Sequence, residues 1–341
     1  MGRETAGGSA PATTDPPRRD GRDAASPAAG THGRGAALVL LGLLKLVWGV
    51  HWGVAKAGLD YMPPLTYGAL RVAGGLATVV VILGLGRSLR LPDWRDLPVV
   101  LSVGLGQVAG GVALMNLALQ VVPAGRSSIL VYTMPIWVVV IQAAFLRTAP
   151  ARGEVLGLAL GLAGIAALLN PVTIDWAAPG GLAGAALLLA SAVIWAATSI
   201  HVRRHRWAGS PASLQPWQLL VAVVPLALLA MALEPGTPVR WEPATVVILL
   251  YSGPLATAFA FWASQSITRS LGPLAATVGF LGVPVVGLAS GALLLGEELT
   301  AFDLAGFALV AAGVVFVTRP TRRRVSRRSP GPPDPAVEAL R

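Results

Sequence analysis

Four side chains in the stretch LLKLVWGVHWGVAK, residues 43–56, could contact a polar or aromatic ligand. Lys45, Trp48 and Trp52 are spaced by three and four residues, so a helix would place them on one face. His51 would lie at the edge of that face. The surrounding run is otherwise apolar, and a buried ammonium group needs water or a polar partner. The spacing therefore predicts a binding face, although the lysine could instead extend to an interface and the rings could serve packing alone.

Six further residues are predicted to complete this site: Asn116, Tyr132, Pro135, Trp195, Gln265 and Pro284. The two prolines fall near the middle of apolar runs, where proline removes an amide donor and frees carbonyl groups of the preceding turn. The amides and the tyrosine add hydrogen-bonding groups, and the tryptophan matches Trp48 in the second half of the chain. The alternatives are a packing kink at each proline and interhelical hydrogen bonds from the amides.

The composition places these residues in a membrane protein. Of the 341 residues, 54% are hydrophobic and only 12% are charged, and the mean hydropathy is +0.67. Average soluble proteins carry about 25% charged residues. Apolar runs of roughly 20 residues recur along the chain, each long enough to cross a hydrocarbon core of about 30 Å. Within lipid these runs must be helices, because open strands would leave backbone groups unpaired.

Ten such runs are separated by charged or proline- and glycine-rich connectors. They cover residues 36–57, 65–85, 97–119, 124–146, 154–170, 180–203, 214–233, 244–268, 272–296 and 302–318. We therefore predict an all-α membrane protein with ten transmembrane helices. Residues 1–35 cannot bury enough apolar surface to order and are predicted to form a disordered tail. Residues 319–341 are predicted to form a second, basic disordered tail.

The two halves of the chain repeat one another at an offset of 149 residues. The matched pairs are Leu65 with Leu214, Asn116 with Gln265, Pro135 with Pro284, Gly157 with Gly306 and Gly164 with Gly313. Trp48 matches Trp195 at an offset of 147 residues. Each half holds five helices, an odd number, so the second copy must enter the membrane from the opposite side. We predict two inverted five-helix repeats, residues 36–170 and 180–318, an arrangement typical of secondary transporters.

The charges of the connectors agree with this inversion. With the N-terminus inside, nine basic residues fall in internal connectors and one, Arg240, falls in the external ones, or three when the helix-edge Lys56 and Arg126 are included. This positive-inside bias predicts a cell-membrane protein with both termini cytoplasmic. The basic run RPTRRRVSRR, residues 319–328, directly follows an apolar helix. It predicts attraction to anionic lipids rather than to nucleic acid.

Several motifs in this sequence resemble the EamA family of ten-helix transporters in the drug/metabolite transporter superfamily. They are WGVHWGVAK, ALR, MP and GLALGLAGIAALL in the first half, and VP, LLLGEELT and GFALVAAGVVF in the second. The resemblance covers residues 36–318 and implies a transporter, of the exporter type, for amino acids, other metabolites, sugars or toxic compounds. One departure is the absence of the Gly-Glu pair expected after the fourth helix, where Arg147 and Thr148 stand.

The positions of the carboxylates limit the substrate. All 16 lie in tails, connectors or helix ends, so a lipophilic cation would find no counter-charge at the midplane. We predict a neutral, zwitterionic or anionic metabolite such as an amino acid, whose polar group contacts Lys45 or His51. Arg71 and Arg126 are expected to extend outward from the external ends of their helices.

We predict alternating access of a small molecule around a midplane cavity, by an exporter or exchanger that needs no cofactor or metal. A passive channel or lipid scramblase is the main alternative. An intramembrane enzyme is less well supported, because only His51 of the four histidines lies deep and no carboxylate orients it. The GxxxG spacing in GLALG predicts close helix packing or dimerisation, which leaves monomer and homodimer open.

Overall fold

A computed structural model describes residues 31–145, 152–168, 180–267, 280 and 282–318, together with Gly2. In these ranges all regular secondary structure is helical, as predicted, and no strand occurs. The helices are α1 (Thr31–Gly58), α2 (Pro64–Leu85), α3 (Leu97–Leu101), α4 (Gly111–Leu119), α5 (Ala124–Val131), α6 (Met134–Phe145), α7 (Arg152–Leu168), α8 (Gly181–Arg204), α9 (Pro211–Leu233), α10 (Pro243–Leu250), α11 (residues 260–267), α12 (Gly282–Leu295) and α13 (Ala301–Thr318).

The predicted tails fall largely outside these ranges. Residues 319–341 and, apart from Gly2, residues 1–30 are not among the described residues, so the expected disorder there stays a prediction. Helix α1 begins at Thr31, so residues 31–35, which were assigned to the tail, are helical. Helix α1 thus continues beyond the apolar run from which its start was predicted.

In the described part of the chain, seven helical stretches are long and apolar enough to cross a membrane. They are Val39–Gly58, Pro64–Leu85, Trp94–Leu119, Ala124–Phe145, Gly181–Arg204, Pro211–Leu233 and Pro243–Ile267. All seven coincide with predicted runs. Three shorter apolar helices, Val155–Leu168, Gly282–Leu295 and Ala301–Phe316, overlap the remaining three runs. The chain is therefore a multi-pass helical membrane protein, and the count of ten spans stays a prediction.

Two of the long spans are wound as π-helix in the middle. Ser102–Gly110 joins α3 to α4, and Tyr251–Phe259 joins α10 to α11. The wider winding changes which carbonyl groups are free for partners outside the helix, and such segments occur frequently at functional sites. Here Trp48 Nε1 donates a hydrogen bond to Ala256 O at 3.0 Å. The second π-helical segment is thereby tied to the residues of α1 that the sequence singled out.

The fourth predicted helix is interrupted at its centre. α5 ends at Val131 and α6 begins at Met134, with a turn between them directly before Pro135. The hydroxyl of Thr133 donates to Leu130 O at 2.6 Å, which satisfies one carbonyl group of the broken turn. The break thus occurs where the proline predicted it. The matched proline, Pro284, lies in the first turn of α12, which begins at Gly282.

Helices α7 and α13 pack backbone to backbone along a face of glycines. A Cβ atom added at Gly313 would lie 2.7 Å from Gly157 O and 2.8 Å from Gly161 N. A Cβ atom added at Gly164 would lie 2.9 Å from Gly306 O. These approaches are too close for any side chain, so the GxxxG spacing serves packing within the chain.

We expect Gly313→Ala to lower the free energy of unfolding by about 1–3 kcal/mol, because backbone atoms of α7 must move to admit the methyl group. Gly84→Ala is the matched control: a Cβ atom at this exposed helical position would have no neighbour within 4 Å. Thermal unfolding of the purified protein in detergent measures both effects. Equal melting temperatures for the two variants would contradict the close packing of α7 and α13.

Candidate functional site

The helices surround a cavity of about 660 Å³, within the range of small-molecule sites. Its wall is contributed by α1, α2, α4, α5, α6, α8, α9 and α11, the first π-helical segment, the turn between α5 and α6, and the loop that follows α8. The wall therefore draws on both halves of the sequence.

An aromatic cluster forms one part of this wall, and Trp48 lies at its centre. The Trp48 ring meets Trp195, Phe261 and Phe280 edge-on, with ring centroids 6.0, 5.7 and 6.3 Å apart. Trp195 in turn stacks on Phe261 at 5.9 Å. Such ring pairs contribute about 0.5–1.5 kcal/mol beyond burial. The cluster offers a rigid apolar surface on which the carbon skeleton of a ligand can pack.

Two basic side chains lie against the same cavity with unused hydrogen-bonding capacity. His51 and Arg71 are each only 3% exposed. Neither ring nitrogen of His51 has a hydrogen-bond partner among the described residues, and Arg71 Nη1 has none there either. The His51 ring stacks on Tyr251, with centroids 6.3 Å apart. Buried polar groups in folded proteins are nearly always paired, so this pair of side chains indicates a place for a ligand or water.

The position of Arg71 corrects a prediction made from the sequence. Arg71 was expected to extend outward to water, but its Nε donates to Thr257 Oγ1 at 3.3 Å inside the bundle. Thr257 belongs to the second π-helical segment, which α2 approaches at Gly75, where an added Cβ atom would lie 2.7 Å from Thr257 Cγ2. The absence of a side chain at Gly75 therefore lets the π-helical segment come close enough to hold the guanidinium.

Seven of the ten residues predicted to bind substrate line this cavity. They are Trp48, His51, Trp52, Tyr132, Pro135, Trp195 and Gln265. The carbonyl oxygen of the Gln265 side chain is buried without a hydrogen-bond partner among the described residues. The lining residues that sequence reasoning missed include Arg71, Gln107, Gln142, Arg203, His205 and Trp207. Each of these residues lies near a predicted helix end or has no polar or aromatic residue at the matched position of the other repeat, so no signal in the sequence marked it.

Lys45, Asn116 and Pro284 lie elsewhere. Lys45 is half-buried beside Gly282 of α12, where an added Cβ atom would lie 2.8 Å from Lys45 Cδ. This face of α1 packs against α12, since a Cβ atom at Gly49 would collide with Val286. Lys45 precedes Trp48 by three residues, which rotates it about 60° around the helix. That rotation is enough to direct the Lys45 side chain toward α12 rather than into the cavity.

The other two misplaced residues serve packing. Asn116 is fully buried, and its Nδ2 donates to Pro64 O at 3.0 Å. Pro284 is buried in α12, which packs against α1. The interhelical hydrogen bond, which was the alternative interpretation of Asn116, is thus present in the structure.

One end of the bundle, where α1 reaches its C-terminus, is closed by polar contacts. Lys56 Nζ donates to the carbonyl oxygens of Leu119 and Val122, each at 3.0 Å. The Glu297 carboxylate accepts hydrogen bonds from the first amides of α5, Ala124 N at 2.6 Å and Gly125 N at 3.0 Å. Negative charge at a helix N-terminus is favourable. These contacts join α1, α4, α5 and the loop after α12 at this end of the bundle.

The same end holds a buried ion pair. Arg126 Nε lies 3.1 Å from Asp303 Oδ1, and the two side chains are 7% and 5% exposed. Arg126 therefore does not extend outward, contrary to the sequence-based expectation, because α13 supplies a carboxylate beside it. The pair links the start of α5 to the start of α13.

The opposite end of the cavity is polar and basic. Arg203 is exposed in the last turn of α8, and His205 and Trp207 follow it. His205 Nε2 lies 2.9 Å from Asp96 Oδ1, and the Asp96 carboxylate also accepts from the amides of Ala208 and Gly209. Asp96 is thus occupied in holding the loop after α8 and does not line the cavity.

The fold and the cavity define a helical membrane protein with an internal site of small-molecule size that both halves of the chain build. The model of the EamA-like transporter family matches residues 35–170 and 182–319. The chain therefore belongs to this family, as its motifs predicted. It is a membrane transporter of the cell membrane and not an enzyme.

Relatives of known name agree with this assignment. The chain is 27% identical over 290 residues to "Uncharacterized transporter YoaV" of Bacillus subtilis, covering 84% of this chain and 98% of that one. It is 30% identical over 290 residues to the "Probable amino-acid metabolite efflux pump" of Salmonella typhimurium, covering 80% and 91%. A solved structure titled "Crystal structure of protein" shares the fold, with a TM-score of 0.61 at 23% identity over 83% of this chain and 98% of that one.

Proposed function

We propose that this protein is a secondary transporter that exports or exchanges a small neutral, zwitterionic or anionic metabolite, such as an amino acid, by alternating access. The observation that carries the proposal is the cavity of about 660 Å³, which combines an aromatic surface with buried basic groups. The name of the Salmonella typhimurium relative, an amino-acid metabolite efflux pump, supports an amino acid as substrate.

We further propose that ten spans form two inverted five-helix repeats, residues 36–170 and 180–318. The two π-helical segments support this, since each spans nine residues and both begin and end 149 residues apart. Reciprocal contacts between α7 and α13 also support it: Gly164 meets Gly306, and Gly313 meets Gly157. Contacts of residue i with j and of j with i are the mark of a two-fold axis.

Under the proposed orientation both termini are cytoplasmic. The closed end with Lys56 and Glu297 is then external, and the basic end with Arg203 and His205 is the cytoplasmic mouth. Transport requires that the external contacts open while the cytoplasmic end closes, which is the rocking of one repeat against the other. The basic tail beyond Thr318 would then face the anionic inner leaflet.

Counterflow in proteoliposomes tests the transport proposal. Vesicles loaded with an unlabelled amino acid should accumulate the same labelled amino acid transiently, and the initial rate should saturate with its concentration. A panel of the proteinogenic amino acids, run with and without a pH gradient, identifies the substrate and the coupling. A rate that rises without saturation and shows no counterflow would instead identify a passive channel or scramblase.

The absence of cysteine from the sequence makes the inverted topology directly testable. Asp93 and Glu242 occupy matched positions 149 residues apart, and both are exposed. In spheroplasts, a membrane-impermeant maleimide should label Glu242→Cys and should label Asp93→Cys only after permeabilisation. Labelling of both cysteines from the same side would rule out the inversion.

A further inference from the structure

We infer that Arg71 is the binding site for a substrate carboxylate and that the ligand is a monoanionic or zwitterionic acid carrying an aromatic or bulky apolar group. This inference rests on the proposed transport function and names the chemistry that the cavity selects. Four observations carry it: the unused donors of Arg71, the absence of a carboxylate from the described wall of the cavity, the neighbouring His51 and the aromatic cluster around Trp48.

The guanidinium of Arg71 has more donors than the protein satisfies. Of its five N–H groups, Nε–H donates to Thr257 Oγ1, and Nη1 is buried with no partner in the described part of the chain. Arg71 lines the cavity although it is only 3% exposed. A buried cation without a counter-ion costs several kcal/mol. A carboxylate that binds the planar fork of the guanidinium removes this cost, because the two groups match in shape.

No carboxylate of the protein competes for this position in the described wall of the cavity. Its ionisable lining residues are His51, Arg71, Tyr132, Arg203 and His205. Asp96 hydrogen-bonds His205 near the mouth, and Asp303 forms an ion pair with Arg126 at the closed end. Among the described lining residues, one deeply buried guanidinium therefore remains for a ligand. This matches a single negative charge, whereas a doubly charged phosphate would keep one buried charge without a counter-ion.

The remaining surfaces of the cavity suit the rest of such a ligand. Both ring nitrogens of His51 are unpaired in the described part of the chain. The one that carries a proton can donate to a carboxylate oxygen, and the other can accept from a polar group of the ligand. The Trp48 cluster offers apolar contact for an aromatic or aliphatic side chain. The faces of its rings can also attract an ammonium group, which admits a zwitterion as well as a simple acid.

Equilibrium binding to the purified full-length chain in detergent, measured by calorimetry, tests this inference without requiring transport. Four probes share one phenyl skeleton: L-phenylalanine, 3-phenylpropionate, L-phenylalaninamide and phenethylamine. We expect the two carboxylates to bind at least about tenfold more tightly than the amide and the amine. The order of the two carboxylates then distinguishes a zwitterion site from a simple acid site.

Substitutions at Arg71 test its role in this preference. Arg71→Gln should lower the affinity for both carboxylates by roughly tenfold to a hundredfold and leave the affinities for the amide and the amine unchanged. Arg71→Lys keeps the charge but not the fork and should retain part of the preference. Arg240→Gln, which alters an exposed arginine paired with Glu242, should retain all of it.

Several outcomes would overturn the inference. The wild-type protein could bind neither carboxylate, or it could bind the amine as tightly as the acids. The preference for carboxylates could also survive Arg71→Gln and be lost in Lys45→Gln. The comparison of the four probes on the wild-type protein tests the carboxylate preference even if Arg71→Gln does not fold. Saturable counterflow without a carboxylate preference would overturn this inference alone, and carboxylate binding without counterflow would overturn the transport proposal alone.

Discussion

Replacing Trp48 by alanine should reduce amino-acid counterflow at least about tenfold and lower the free energy of unfolding by about 3–5 kcal/mol. The reason is that Trp48 connects three aromatic rings, one from each of Trp195, Phe261 and Phe280. The substitution also leaves Ala256 O without the donor that Trp48 Nε1 provides at 3.0 Å. Counterflow in proteoliposomes and thermal unfolding in detergent measure the two effects.

Two further variants separate binding from general damage. Trp48→Phe keeps an aromatic ring in the cluster but removes the indole donor, so it should retain more counterflow than Trp48→Ala. Trp241→Ala removes a tryptophan that is 66% exposed and should change neither measurement appreciably. Full counterflow by a folded Trp48→Ala protein would show that the aromatic cluster takes no part in substrate binding.

Asp303→Ala should destabilise the protein by about 3–5 kcal/mol, the cost of removing one partner from a buried ion pair. The carboxylate lies 3.1 Å from Arg126 Nε and is 5% exposed. Its second oxygen accepts from the amide and hydroxyl of Thr300, which caps α13, so the helix start is also weakened. The yield of monodisperse protein and its melting temperature in detergent measure the loss.

An exposed ion pair provides the control for this prediction. Arg240 and Glu242 lie 3.0 Å apart, but their side chains are 57% and 48% exposed. Glu242→Ala should therefore cost no more than about 1 kcal/mol, because water screens the charges. The double variant Arg126→Met, Asp303→Leu should recover part of the stability lost in Asp303→Ala, since no buried charge remains unpaired. A melting temperature of Asp303→Ala equal to that of Glu242→Ala would contradict the burial of the Arg126–Asp303 pair.

The stripe on α1 shows how far a helical repeat predicts a site. Trp48 and Trp52, separated by four residues, both line the cavity, and His51 at their edge does as well. Lys45 and Trp48 are separated by three residues, which is also a same-face spacing, yet Lys45 faces α12. Spacing along a helix defines the angle between side chains but not the direction in which the neighbouring helices lie.

The sequence by itself determined the class of the protein. Apolar runs long enough to cross a bilayer, few charges and the EamA motifs are properties of short stretches, and lipid requires each such stretch to be helical. The two π-helical segments, which the sequence did not predict, lie at the same offset of 149 residues that relates its two halves.

Only the tertiary structure decided which charged residues are buried. Arg71 and Arg126 look alike in the sequence, since each is an arginine near a predicted helix end with a short path to water. The structure places Thr257 beside one and Asp303 beside the other, from helices more than 170 residues away along the chain. Burial of a charge depends on such distant partners, so no local pattern reveals that Arg126 closes one end of the bundle while Arg71 keeps free donors facing the cavity.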